Sequence, residues 1–322
     1  MTRLAVMAHF DVSGEVRPHV RRQVEHLRRA FDELVVVSTA KLTDASRAWL
    51  TARSTLLERD NEGYDFGSYK AGLDAARQDL STYDDVVVCN DSFVGPLVDW
   101  AQILSTMAAR GCDFWGLTES RQHVRHVQSY CLGFRSTALA SPAFRRFWDD
   151  FEPTSDREQV IQRYELGLSR RLRKAGLKQA AYFTETDGDR RTARRRMAWW
   201  ALQREPAPRT RAQWAAWRER TRRPWNPTVV LADRALDGAR LPLVKVETIR
   251  HDLHRLGSGR LLAACEAAYP DDFAGVRDFL EDTAAAYAMR PGDVLHLPPV
   301  PLRWAGRLVR YRTRARARAA RR

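Results

Sequence analysis

An α/β fold is the architecture this sequence predicts: a mostly parallel sheet flanked by helices, with a more helical, basic C-terminal part. Three observations predict it. Short apolar runs alternate with amphipathic stretches through the first half of the chain, the pattern of strand–helix units around a parallel sheet. The run Val86 to Cys89 stops in Asn90-Asp91-Ser92, and strands covered on both faces collect their polar atoms at their ends. With 322 residues, 44% of them hydrophobic, the chain can bury a sizeable core in one large or two smaller domains, which excludes a disordered protein.

In chain order, Leu4 to His9 reads as the first strand. Val16 to Phe31 has helical spacing, with Val20, Val24, Leu27 and Phe31 on one face. Leu34 to Val37 is a second strand, Ser46 to Ala52 a short helix, and Ser54 to Leu57 a third strand with a weak signal. Helices are predicted over Tyr69 to Leu80 and Val98 to Ala109, with the strand Val86 to Cys89 between them. Asp113 to Gly116 begins another strand-like unit. Pro142 to Phe151 reads as a helix with proline in its first turn. Gln159 to Ala175 is another, closed by Gly176. Ala180 to Thr184 is a strand candidate, and no repeat of solenoid period occurs.

No apolar run is long enough to cross a bilayer, and Met1 to Phe10 lacks the features of a secretory leader. Cys89, Cys112, Cys131 and Cys265 form neither a zinc pattern nor a dense disulfide framework. A cytoplasmic protein with reduced thiols is expected. The net charge of +14 and the pI of 10.2 would attract nucleic acid, an anionic membrane face or phosphorylated substrates. The dense runs are Arg190 to Arg196, Arg218 to Arg223 and Arg310 to Arg322. Between Arg190 and Trp225, arginines interleave with Trp199, Trp200, Trp214, Trp217 and Trp225. Such a segment can lie on a membrane surface or a partner. The favoured reading is a helical pair with its tryptophans turned inward, since each suits a helix–helix seam. The tail beyond Pro301 is expected to be frayed or membrane-adjacent.

Four constellations could carry chemistry. In open α/β sheets ligands bind outside the carboxyl ends of strands. There Asp91, between Asn90 and Ser92, can hold a metal, a ribose or a phosphate, and can equally cap the next helix. The stretch Asn61-Glu62-Gly63-Tyr64-Asp65-Phe66-Gly67-Ser68-Tyr69-Lys70 follows a strand candidate and leads into a helix. Its glycines allow a tight turn or close approach to a ligand, and a helix start with Lys70 nearby favours anions. Its spacing matches neither the Walker loop nor the dinucleotide fingerprint. Glu165 lies three residues before Leu168 and seven before Leu172, which puts its carboxylate on the apolar face. That makes it a general-base candidate, or a partner for a nearby arginine. His126, in the polar stretch after Gly116, could bind a sugar hydroxyl or a phosphate, although a lone histidine is more often structural. Lys245, on a short strand-like run, is a further candidate to face the site.

Taken together these segments resemble the rhamnan synthesis protein F family. The resemblance rests on His9-Phe10-Asp11, the Asn61 to Lys70 stretch, Asn90-Asp91-Ser92, Gln128-Ser129-Tyr130, Tyr164-Glu165, Asn226-Pro227-Thr228 and Pro242-Leu243-Val244-Lys245, in the family's order. It implies a GT-A-like, Rossmann-type nucleotide-sugar transferase for cell-surface polysaccharide. Related folds carry an Asp-x-Asp motif where this chain has Asn90-Asp91-Ser92. The second acid is missing, so binding of Mg²⁺ or Mn²⁺ would rest on Asp91 alone. The Glu165 segment is similar to a Glu-Asp helix in which an acid deprotonates the acceptor. Here Tyr164 and Leu166 flank Glu165, so a single acid inherits the base role.

The resulting expectation is an inverting glycosyltransferase that uses an activated nucleotide sugar, with dTDP-L-rhamnose as one such donor. Glu165 would be the base. Asp11, Asn61, Asp65, Lys70, Asn90, Asp91 and Ser92 would contact the donor, and His126, Gln128, Tyr130 and Lys245 the sugar or acceptor. The acceptor would be a polysaccharide or lipid-linked glycan on the inner face of the plasma membrane. There each basic residue close to an anionic surface contributes about 1 kcal/mol. The expected division is 1–189 transferase core, 190–225 Arg/Trp-rich helical insertion, 226–300 C-terminal part of the catalytic unit and 301–322 basic tail. Two other classes stay open. One is a non-catalytic membrane-associated assembly partner. The other is a basic nucleic-acid-binding protein, which would leave Asn90-Asp91-Ser92 and Glu165 unexplained, so no nucleic acid is expected.

Overall fold

A computed structural model describes residues 1–204, 209–288 and 305–315 of the chain. The expectations for 289–304 and 316–322, which include part of the basic tail, lie outside the described residues. The chain divides into two compact units, 1–119 with 124–182, and 120–123 with the described part of 183–322.

The first unit is built on one seven-stranded sheet. Its strands are β1 (Arg3–His9), β2 (Glu33–Ser38), β3 (Thr55–Glu58), β4 (Asp85–Asn90), β5 (Phe114–Gly116), β6 (Cys131–Arg135) and β7 (Gln179–Ala181). They lie in the order β3-β2-β1-β4-β6-β5-β7. All pairings are parallel except those of β6, which runs antiparallel between β4 and β5. This is the mostly parallel, helix-flanked sheet that the sequence predicts. β1, β2 and β4 are apolar on both faces because both faces are covered, and all three are buried nearly throughout. The register places Ala8 opposite Asn90 and His9 opposite Ser38. The polar ends of β1, β2 and β4 therefore form one rim.

The flanking helices include α1 (Pro18–Ala30), α2 (Asp44–Thr51), α3 (Tyr64–Asp74), α4 (Trp100–Ala109) and α5 (Pro142–Asp149). α3 starts five residues before the helix predicted over Tyr69 to Leu80 and ends six before it. Its close seat on the sheet explains the difference: a Cβ on Gly72 would stand 2.2 Å from a Val6 methyl. The bare glycine lets the helix axis lie directly on β1, and tertiary packing overrides a weak local pattern. Gly63, at φ +74°, opens this helix in the left-handed region. Phe66, Tyr69, Phe147, Trp148 and Tyr164 belong to the core beneath it.

The single helix predicted over Gln159 to Ala175 is broken into three pieces. α6 (Arg157–Val160) passes into a wide π turn (Ile161–Glu165) and then α7 (Leu166–Lys174). The extra residue in that turn shifts the helical register just before Leu166, as π-bulges do. Leu168 and Leu172 stay buried. The Glu165 side chain is 22% exposed instead of lying fully on the apolar face.

The second unit is helical. α8 (Asp187–Arg204) carries much of the first arginine run, and α9 (Arg211–Arg222) packs on it. Trp199 is buried, as the inward reading expects. Trp214 is 45% exposed and stacks edge-on against Trp217 on a helix that buries no residue, so that reading holds for α8 and fails for α9. Arg196 is 1% exposed and makes two bonds to Asp233, of 2.8 and 2.7 Å. Asp189 takes Arg234 and Arg240 at 2.5 and 2.6 Å. Burial works against the Asp189 charge, but bonds from both arginines and from Thr186 hold its carboxyl well below the usual range. Lys245 lies on the short strand Val244–Lys245 in this unit. Among the described residues no helix is long and apolar enough to cross a membrane. The four cysteines are buried and free.

Candidate active site

The carboxyl-end rim of the sheet gathers the first group of polar side chains. Asn90, the last residue of β4, donates from Nδ2 to Asp65 Oδ2 at 2.7 Å. Its Oδ1 accepts from the Ser92 N–H at 3.2 Å and from the Ser92 hydroxyl. The two ends of the amide therefore meet partners of opposite kind, which fixes its orientation. Gln23, fully buried on α1, donates to the Asn90 carbonyl at 3.0 Å. Asp91 accepts from the Phe10 N–H at 2.7 Å, which ties the loop after β4 to the end of β1. Asp65 sits in the first turn of α3, where a carboxylate suits the helix dipole.

Asp11 continues β1 and is 4% exposed. Burial alone would push its carboxyl up, but bonds from Ser13 and Arg17 outweigh that and hold it below the usual range. Arg17 Nε is 3.0 Å away. His9, two residues earlier, shares a 3.0 Å bond between Nδ1 and the Ser38 hydroxyl, while its Nε2 is buried without a partner. Burial pushes this imidazole down to about 4.

A second group lies at the start of β6 and the end of the π turn. Ser129 joins it to the first. Its carbonyl accepts from the Tyr69 hydroxyl at 3.0 Å, and its N–H donates to Glu165 Oε1 at 3.4 Å. Tyr69 is one turn along α3 from Asp65. Burial, and then the charges of Asp65 and Asp91, push the Tyr69 phenol far above its ordinary value. Glu165 Oε1 also stands 3.8 Å from His126 Nε2. The bond from His126 Nδ1 to the Val124 carbonyl, 2.8 Å, requires the hydrogen on Nδ1. Nε2 is thus the nitrogen that can share a proton with Glu165. His126 is 5% exposed at its side chain and Glu165 22%, so the carboxylate is the member open to an incoming group.

Asn90, Asp91, Ser92 and Asp65 therefore come together, with Asp11 beside them. Glu165 and His126 come together as a pair. Gln128 and Tyr130 are buried, and both bond to Thr118, Gln128 Oε1 at 2.7 Å, so they brace β6 from inside. Lys70 is not brought to the rim group. Its amine is clamped by Asp74 four residues on, at 2.6 and 2.5 Å. Asn61 is exposed in the loop before α3. The close approach at Gly67 is to the chain itself, since a Cβ there would meet the Glu62 carbonyl at 2.1 Å and Arg59 at 3.0 Å. Arg59 in turn donates to that carbonyl at 2.7 Å. Among the described residues no three His, Cys, Asp or Glu side chains gather as a metal-ligand group. Asp91 offers a single carboxylate that already accepts one N–H, which does not make a protein-built metal centre.

Residue-type reasoning missed His9, Ser38, Tyr69 and Ser129 as members of the rim. The signal was present: each stands at a strand end or inside one of the motif stretches. What the sequence could not show is that Tyr69 and Ser129, 60 residues apart, meet.

The family profile described as rhamnan synthesis protein F matches residues 34–201. A 133-residue stretch is 32% identical to the virulence protein VirA of Vibrio anguillarum and covers 39% of this chain and 41% of that protein. A 170-residue stretch is 25% identical to the protein y4gN of Sinorhizobium fredii, covering 51% and 44%. The match thus spans less than half the length of these curated relatives. Among solved structures, S. aureus TarS residues 1–349 is 12% identical over 90% of this chain and 93% of that one, with a TM-score of 0.35. Glucosyl-3-phosphoglycerate synthase of Mycobacterium tuberculosis, solved with Mn²⁺ and UDP, is 12% identical over 57% and 84%, with a TM-score of 0.32.

Proposed function

This chain belongs to the rhamnan synthesis protein F family, and from that premise we propose that it is a glycosyltransferase that moves a sugar from a nucleotide-sugar donor to a glycan acceptor. The observation that carries the reading is the pair of linked groups: Asn90 with Asp65 at the start of α3, and, one helical turn on, Tyr69 through Ser129 to Glu165 and His126. It couples a polar strand-end rim, where open α/β sheets take ligands, to a partly open carboxylate backed by a histidine.

The donor nucleotide binds at the rim. Asp91 and Ser92 are the contacts for ribose or diphosphate, and Asn90 and Asp65 hold them in place. The acceptor hydroxyl attacks the anomeric carbon directly. Its new C–O bond forms as the bond to the diphosphate breaks, so the configuration inverts. Glu165 takes the hydroxyl proton, with His126 Nε2 3.8 Å behind its carboxylate. A positioned acid–base group of this kind contributes roughly 10²- to 10⁴-fold. A divalent cation arriving with the diphosphate would find one protein carboxylate, Asp91, and would neutralise phosphate charge. Lys70 reaches phosphate only by leaving Asp74. The donor we favour is dTDP-L-rhamnose and the acceptor a polysaccharide or lipid-linked glycan. The arginine-rich surface would hold the protein against an anionic inner membrane face.

A thermal-shift panel of nucleotide sugars, each with and without Mg²⁺ or Mn²⁺, tests the donor assignment. Saturating donor should raise the melting temperature, because a ligand that binds only the folded state stabilises it. Silence across the panel would leave a non-catalytic assembly partner as the better reading.

A further inference from the structure

The second unit contains a cavity of about 530 Å³, within the range of small-molecule sites. It lies between α8, the segment around Asn226 and the turn that carries His254. Trp200 and His254 make its aromatic wall, with ring centres 5.4 Å apart. Around them stand Gln122, Arg223, Asn226 and Glu247.

Several polar groups of this wall are not used up by bonds inside the protein. His254 Nδ1 is buried with no hydrogen bond. Burial, and then the nearby Arg204 charge, push this imidazole down to about 4, so it is neutral at pH 7. Asn226 uses Oδ1 to hold Thr228 N and Oγ1, at 3.0 and 2.8 Å, which leaves Nδ2 to the cavity. Glu247 is exposed, and among the described residues it forms no ion pair, although Arg223 lines the same space.

The chemistry of the lining selects the ligand class. Donors (Arg223, Asn226 Nδ2) alternate with acceptors (Glu247) beside an aromatic face. A phosphate would be repelled by Glu247. A purely apolar group would strand the polar atoms. A hydroxyl both donates and accepts, and the C–H face of a sugar ring packs on an aromatic wall. We propose that this cavity is a saccharide-binding subsite, which takes a neutral sugar ring of the acceptor glycan.

The word acceptor rests on the transferase reading; saccharide binding as such does not. The test is saturation-transfer NMR on the full chain with methyl α-L-rhamnoside as probe, beside separate titrations with dTDP-L-rhamnose and inorganic phosphate. Wild-type protein should transfer saturation to the glycoside ring protons. Glu247→Ala, at an exposed position, should weaken the glycoside about tenfold with unchanged melting temperature and dTDP-L-rhamnose affinity. Trp200→Leu should weaken it as well. No glycoside binding by wild type, equal binding by both variants, or displacement of the glycoside by phosphate would each overturn the proposal. Loss of nucleotide-sugar binding alone, with the glycoside still bound, would sink the transferase reading and leave the cavity standing.

Discussion

In the proposed transfer reaction, turnover depends on Glu165 and His126. Replacing Glu165 by Gln keeps the shape and removes the proton acceptor. Transfer should fall about 10²- to 10⁴-fold while donor affinity holds, measured as nucleoside diphosphate release against donor titration. Asp91→Ala should do the opposite. It should weaken nucleoside diphosphate binding in calorimetry and free the Phe10 N–H that Asp91 now holds at 2.7 Å. His9 gives a pH prediction. Its imidazole is pushed from 6.5 down to about 4 by burial. Below pH 6.5 the unfolded chain binds a proton that the folded one refuses until about pH 4. Stability present above 6.5 should therefore fall across that window, seen as a dropping urea midpoint that His9→Asn flattens. The place of Asp91 at a strand end was legible in the sequence. His9 was not, because nothing in the sequence marks its ring nitrogen as sealed beneath Ser38.

Among the elements, the central strands were readable and the site helix was not. β1, β2 and β4 are unbroken apolar runs, and burial on both faces leaves few other readings. The opening turn of α3, Tyr64 to Ser68, contains a glycine and two polar residues and reads locally as a loop. It is helical because Gly72 lets α3 lie on Val6 and because Gly67 admits the Glu62 carbonyl. Gly72→Ala should therefore act as overpacking and cost about 1–3 kcal/mol in chemical denaturation, where an ordinary helix position would gain stability. The π turn before α7 was invisible for a related reason. Heptad offsets from Leu168 and Leu172 assume an unbroken helix. One extra residue is enough to carry Glu165 from the apolar face to a partly open position beside His126.

At the level of the whole molecule, the arginine excess is not one feature. The sequence shows Arg190 to Arg196 as a single basic run, yet Arg196 is internal and tied to Asp233, 37 residues on. Periodicity cannot tell which arginine of a run turns inward, since the partner is distant. Arg196→Met should cost about 3–5 kcal/mol in chemical denaturation, because it removes both bonds to buried Asp233 and leaves the Val230, Val309 and Arg310 carbonyls without their donor. The tryptophans divide in the same way. Trp199 serves the core, Trp200 lines a cavity, and Trp214 stands in solvent. The proposed transferase needs the rim and the Glu165 pair to act as one site. The most direct test is sugar transfer from dTDP-L-rhamnose and related nucleotide sugars to a rhamnan acceptor, run side by side with wild type and Glu165→Gln. Turnover by the wild type, with a variant that binds donor but does not release nucleoside diphosphate, is the predicted result. Equal turnover by the two proteins would contradict it.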